Sequence, residues 1–258
     1  MSNSLVVNEV YLSLQGESTF AGLPCIFVRL TGCNLRCSYC DTAYAFKEGR
    51  PMELSDILAE VNRLAAAFPV APPFSPASSP LAAAAPAGLR LPLVELTGGE
   101  PLLQPNSAEL MRQLCDLGFT VLVETSGAHD ISRLDPRIRR IMDLKAPGSG
   151  ELHRNRWDNL AALRPTDEIK LVLGSREDYE WAKQILRDHQ LAAICPVLLS
   201  WVAPLLPHQR DASLKAVPSP STPMSRQELV EAIIADALPV RFQLQMHKFV
   251  WSPDLRGV

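Results

Sequence analysis

The sequence predicts an α/β protein built on a partial (β/α)6 TIM-like barrel. Three observations carry that reading. Short apolar, β-branched runs alternate with amphipathic helical stretches along the chain. The runs lack polar alternation, as strands do when a parallel sheet is covered on both faces. Polar residues, glycine and proline gather just after the runs, where a barrel places its chemistry. A doubly wound open sheet is the structural alternative.

The elements follow in order. "CIFVRL" (25–30) is the first strand, and 54–67 is the first helix. "LVELT" (93–97) is the second strand. The helix at 107–117 takes Asn106 as N-cap and stops at Gly118. "TVLVET" (120–125) and "RIMDLK" (140–145) are strands, followed by a helix at 157–163. "IKLVLG" (169–174), a helix at 176–189 and the strand "ICPVLL" (194–199) continue the alternation. "SRQE" opens the helix at 225–237 as a capping box, with Ser225 and Glu228. The last segment, "VRFQLQMHKFVW" (240–251), alternates polar and apolar residues, so it reads as a strand with one polar face. The strand ends gather residues 32–41, 97–101, 124–127, 145–150 and Ser200 on one face.

Two stretches rich in proline, alanine and serine, at about 69–92 and 204–224, read as surface insertions in a single domain spanning 1–258. No internal repeat is present. The 258 residues suffice for a sizeable core, and 47% hydrophobic with 21% charged content suits a globular protein. A net charge of −3 argues against nucleic-acid or membrane-surface binding by bulk electrostatics. No apolar run reaches the roughly 18–20 residues of a membrane span. The N-terminus lacks the basic start and cleavage site of a signal peptide, so a cytoplasmic location is expected.

In a reducing compartment, clustered cysteines point to metal or catalysis and not to disulfides. Cys33, Cys37 and Cys40 cluster in "TGCNLRCSYCDT" (31–42); Cys25, Cys115 and Cys195 lie among apolar residues as small core side chains. Three thiolates on one loop suit three irons of a [4Fe–4S] cube, with the fourth iron open to a small molecule. The alternative is a structural Cys3His zinc site, completed by His129, His153, His189, His208 or His247.

"CNLRCSYC" resembles the motif of the radical S-adenosylmethionine (SAM) superfamily, and "TGGEP" (97–101) resembles its second motif. Glycine there lets backbone approach SAM, or serves a tight strand-to-helix turn. "LSLQGES", "FVRLTGCNLRCSYCDT", "ELTGGEPLLQ", "ETSG", "DLKAPGSGE" and "QLQMHKFVW" occur in the order of the 7-carboxy-7-deazaguanine synthase family, which acts in queuosine biosynthesis. The resemblance covers nearly the whole chain outside the two insertions.

That resemblance implies a barrel of the radical SAM type and a role for each matching residue. Cys33, Cys37 and Cys40 would hold the [4Fe–4S] cluster. Thr42 would offer its hydroxyl to Mg2+, a hard cation suited to oxygen; a helix or turn cap is its other reading. Leu14, Gln15 and Gly16 would line the substrate pocket, with Glu17 beside them. Arg29 would pair with the substrate carboxylate, or form a barrel-end salt bridge. Thr97 would touch substrate, as would His247 and Pro253. Tyr39, Gly99, Glu100, Ser126, Asp143 and Lys145 would contact SAM, the last two being equally suited to an ion pair. The implied reaction is a carbon–nitrogen lyase step. A radical derived from SAM takes hydrogen from C6 of 6-carboxy-5,6,7,8-tetrahydropterin; the ring contracts, ammonia leaves, and 7-carboxy-7-deazaguanine forms. A reductase or flavodoxin-type electron donor and a homodimer are implied as partners. The rivals are a radical SAM activase that makes a glycyl radical on a partner protein, and a zinc-stabilised binding module.

Overall fold

A computed structural model describes residues 3–68, 89–252 and 255–258. Most of the first proline-rich stretch, and Pro253, lie outside the described residues. The strands are β1 (Ser4–Leu14), β2 (Pro24–Leu30) and β3 (Arg50–Glu53) before helix α1 (Leu54–Ala65). Then come β4 (Leu93–Gly98), α2 (Ser107–Asp116), β5 (Val121–Thr125), β6 (Arg139–Asp143) and β7 (Glu168–Leu173). α3 (Arg176–Asp188), α4 (Leu191–Ile194), β8 (Val197–Trp201), α5 (Arg226–Ala235), β9 (Arg241–Gln243) and α6 (His247–Val250) complete the order.

The strands form one open sheet in the order β3-β1-β2-β4-β5-β6-β7-β8-β9. From β2 onward neighbours are parallel; β1 runs antiparallel to both β2 and β3. All six predicted strands are present as β2 and β4–β8, side by side, as a partial barrel requires. β1 and β3 extend the sheet beyond what the sequence predicts.

Alternation along each strand sorts side chains onto two faces. One face carries Val28, Leu96, Val123, Met142, Leu171 and Leu199, packed with Ile57, Leu110, Tyr179 and Leu229 of the helices. Each fully buried side chain of this kind contributes roughly 1.5–3 kcal/mol. The other face begins as a small apolar floor of Phe20, Cys25, Leu93, Leu122 and Ile141. One pleat further toward the strand ends, the same face carries Glu95, Glu124, Asp143 and Lys170. The apolar floor therefore supports a charged interior.

Several local expectations change. Ser225 and Glu228 form the expected capping box, and Gly118 adopts the left-handed conformation (φ +79°) just after α2. Asn106 does not cap α2 through its side chain; its amide donates to the Ser4 carbonyl at 3.0 Å and ties the helix to β1. Residues 157–163 form a 3-10 helix (Trp157–Ala162) and not an α-helix. The final predicted strand is only Arg241–Gln243; His247 sits in the short helix α6. The 204–224 stretch is not loose decoration. Arg210 donates to the Ser38 carbonyl at 3.2 Å, and the Lys215 N–H to the Arg36 carbonyl at 3.0 Å, so it clasps the cysteine loop. Among the described residues no helix is long and apolar enough to cross a membrane.

Candidate active site

The C-terminal strand ends open onto a cavity of about 820 Å3. Cys33, Cys37, Cys40 and Thr42 line it from the loop after β2, and Leu14, Gln15, Gly16 and Glu17 from the end of β1. Arg29, Thr97, Gly99, Ser126, Asp143 and Lys145 line it from the strand ends, with Tyr39 between the cysteines and His247 on α6. One cavity thus gathers almost every described residue that the sequence assigns to chemistry. Glu100 is the exception. It is fully buried behind the wall, where its carboxylate accepts from Thr125 Oγ1 (2.8 Å), Ser126 Oγ (2.6 Å) and two backbone N–H groups. These bonds tie the β4 and β5 ends together.

The cysteine loop has little regular structure and is held from outside. Arg36 stacks on Phe46 at 4.2 Å and donates to the Cys33 carbonyl at 2.8 Å. Its backbone N–H donates to Glu151 at 2.6 Å, and Ser38 Oγ donates to the Gly148 carbonyl at 2.6 Å. All three cysteines of the loop so held line the cavity. Glycines bring the β4 end against this loop. A Cβ on Gly99 would stand 2.1 Å from the Gly32 carbonyl oxygen, and one on Gly98 (φ +141°) 2.2 Å from that of Leu30. Close backbone packing alone therefore explains "GG".

The donor set fits an iron–sulfur cluster. Burial pushes all three thiols up, Cys40 to about 12, so a polycationic core is what would draw them into the thiolate form. A mononuclear zinc site would gather its sulfurs around one ion at about 2.3 Å each. Among the described residues no three His, Cys, Asp or Glu side chains are grouped in that way. A cube takes one thiolate per iron, so its ligands lie further apart. Beside the cysteines, Tyr39 Oη and Asp143 Oδ1 are buried without a hydrogen-bond partner. A polar ligand in the cavity would satisfy both. Asp143 Oδ2 accepts from Lys145 at 2.6 Å, so the expected ion pair is present. Burial disfavours the Lys145 charge, but Asp143 outweighs it and holds the ammonium on.

The β1 side carries an aromatic-lined cation. Arg29 donates to Glu9 (2.7 Å) and Tyr11 Oη (2.8 Å), with Tyr44 Oη also on Glu9 at 3.0 Å. The barrel-end salt bridge is thus present, and Arg29 still lines the cavity. Leu255, Arg256, Gly257 and Val258 also line the cavity, and Arg256 covers Tyr44 at 4.0 Å.

The sequence reading did not single out the ionic group on the interior face. Lys170, 4% exposed, bridges Glu17 (3.1 Å) and Glu124. Gln15 Nε2 donates to Glu95 at 2.5 Å, and Thr97 Oγ1 to Glu124 at 3.5 Å. Burial and then the neighbouring Glu124 push the Glu95 carboxyl well up. Burial opposes the charge of Lys170, but Glu124 and Glu17 hold it protonated. The signal was a lone charge in an apolar strand: Glu95 in "LVELT" and Lys170 in "IKLVLG".

No protein-family model matches the chain. It is 41% identical over 254 residues to 7-carboxy-7-deazaguanine synthase of Koribacter versatilis, covering 98% of this chain and 99% of that one. It is 38% identical to the enzyme of the same name from Chlorobaculum tepidum, covering 98% and 97%. The crystal structure of QueE from Escherichia coli superimposes with a TM-score of 0.63 over 95% of each chain at 22% identity. Streptococcus suis SuiB bound to S-adenosylmethionine shares the fold at a TM-score of 0.51 and 13% identity, over 88% of this chain and 51% of that one.

Proposed function

The chain belongs to the 7-carboxy-7-deazaguanine synthase family, and we infer from this that it is a radical SAM lyase making 7-carboxy-7-deazaguanine from a carboxylated tetrahydropterin. It uses a [4Fe–4S] cluster, SAM and Mg2+. The observation that carries the site assignment is that the three cysteines of one loop open onto the same cavity as Gln15, Arg29 and Thr97. Bound there, the cluster and SAM would supply radical chemistry for hydrogen-atom abstraction, and Mg2+ would supply a hard cation for the substrate's oxygens.

The chain's own residues bind, orient and shield. Cys33, Cys37 and Cys40 hold the cluster. Tyr39, Gly99, Ser126, Asp143 and Lys145 form the SAM side, where the unpartnered Tyr39 Oη and Asp143 Oδ1 receive its polar groups. Gln15, Gly16 and Thr97 face the pterin, and Arg29, braced by Glu9 and Tyr11, meets its carboxylate. Thr42 is the oxygen donor to Mg2+. Its other reading, as a helix cap, loses support because its hydroxyl makes no bond to the turn it precedes. His247, whose Nδ1 would lie 2.9 Å from a Cβ on Gly16, closes the β1 side. The 255–258 tail fills part of the cavity wall and so helps to limit water around a radical intermediate.

An external reductase or flavodoxin-type donor, a homodimer and a cytoplasmic location belong to the same proposal. So does one domain, supported by the helices packing on a single sheet. Cys37→Ala tests the assignment: 5′-deoxyadenosine formation should vanish along with the iron–sulfur absorbance, and retained turnover would refute it.

A further inference from the structure

The acidic residue beside Thr42 has no role in the account so far. We propose that Asp41 is the positioning residue of the Mg2+ site, holding the Thr42 hydroxyl in the orientation that accepts the cation. This rests on the reading of Thr42 as the Mg2+ ligand.

Thr42 Oγ1 donates to Asp41 Oδ1 at 2.9 Å. A hydroxyl has one hydrogen and two lone pairs. With the hydrogen held by Asp41, the lone pairs are left for a cation in the cavity that both residues line. A free threonine hydroxyl rotates, and about one in three of its staggered orientations presents hydrogen where a cation needs oxygen.

Asp41 is itself fixed. Its Oδ2 accepts from Lys248 Nζ at 2.5 Å and Gln245 Nε2 at 3.2 Å. Lys248 also donates to Gln245 Oε1 at 2.6 Å, and Gln245 to Glu17 Oε1 at 3.0 Å. Both oxygens of the carboxylate are engaged, and its side chain is 33% exposed, so it retains access to water. Mg2+ keeps several of its waters and favours a nearby carboxylate. Asp41 is placed to accept from those waters without displacing them. The clamp on Asp41 comes from more than 200 residues further along the chain (separation 207 for Lys248). The metal site is therefore completed only when the α6 segment is seated.

The test uses the reconstituted holoenzyme with SAM, unreactive 6-carboxypterin, and Mn2+ as a spectroscopic stand-in for Mg2+. Asp41→Ala should weaken Mn2+ binding by about 10-fold or more, the usual effect of losing an outer-shell partner. SAM affinity and cluster absorbance should stay unchanged. In turnover, the Mg2+ concentration for half-maximal rate should rise by a similar factor, with excess Mg2+ restoring most of the rate. A purely structural role would instead disturb the cluster, since Cys40 is adjacent. Wild-type Mn2+ affinity in Asp41→Ala, with binding lost in Thr42→Val, would overturn the proposal and leave the Thr42 reading standing. Wild-type affinity in both variants would overturn the Thr42 reading itself. If Asp41→Ala does not accumulate, Asp41→Leu is close in size and leaves no acceptor for the Thr42 hydroxyl; an unchanged Mn2+ affinity there overturns the proposal too.

Discussion

Replacing Lys170 by methionine removes the only cation that the structure sets between Glu17 and Glu124 among the described residues. The ammonium is 4% exposed, and the two carboxylates are 18% and 27% exposed. Breaking a fully buried pair by removing one partner costs roughly 3–5 kcal/mol. The two carboxylates face a solvated cavity, so water recovers part of that loss, and about 3 kcal/mol is the reasoned figure. For a chain of this length each kcal/mol moves the midpoint by about 2–4 °C, so Lys170→Met should melt about 6–12 °C lower. The assay is thermal unfolding of the purified protein at pH 7.5, repeated for Glu124→Gln and for the double variant. With Glu124 neutral, Lys170 has one carboxylate left to balance, so the double variant should lose less than the sum of the two single losses. A loss below about 1 kcal/mol for Lys170→Met, or strict additivity, would refute an ionic role for Lys170.

Two further outcomes follow from geometry and charge. Gly99→Ala would force a Cβ to 2.1 Å from the Gly32 carbonyl oxygen, so the protein should accumulate poorly and melt well below wild type; a normal melting curve would refute the packing explanation of the glycine pair. On the surface, hydrogen bonds from Arg112, helped by Gln113, hold Glu109 to about 2, and hydrogen bonds from Arg137 hold Asp135 to about 2. Both values lie below the unfolded ones, so this stabilisation is present above about pH 4.5 and is lost as pH falls toward 2. Exposed pairs contribute only a few tenths of a kcal/mol each. Denaturant titrations from pH 5 to pH 2.5 should show a shallower acid loss in Arg137→Ala than in wild type, and identical slopes would contradict it.

Local pattern carried most of what was legible. β2 and β4–β8 announce themselves because burial on both faces demands unbroken apolar runs. The cysteine loop is legible because its ligands lie within eight positions. β1 was not legible: Asn8 and Glu9 interrupt its apolar run, and its register with β2 shifts between Val7 and Glu9. The 240–251 segment misled because its alternation spans a three-residue strand, a turn and α6, so Gln245 and Lys248 reach Asp41 instead of lining a strand face. The hydrogen bonds that hold Glu100 were not legible, because its partners Thr125 and Ser126 are 25 and 26 residues away. The Glu17–Lys170–Glu124 group was hidden for the same reason, with Glu17 and Lys170 separated by 153 positions. Interior pairing of charges is a tertiary fact, and no periodicity reports it.

The central claim is that this cavity houses the ring contraction. The direct measurement is anaerobic: protein reconstituted with iron and sulfide, then given reductant, SAM, Mg2+ and 6-carboxy-5,6,7,8-tetrahydropterin, with products read by mass. The account predicts 7-carboxy-7-deazaguanine formed over many turnovers. Release of 5′-deoxyadenosine without that product would contradict the substrate assignment. Neither species, from protein that had taken up its cluster, would contradict the radical SAM assignment itself.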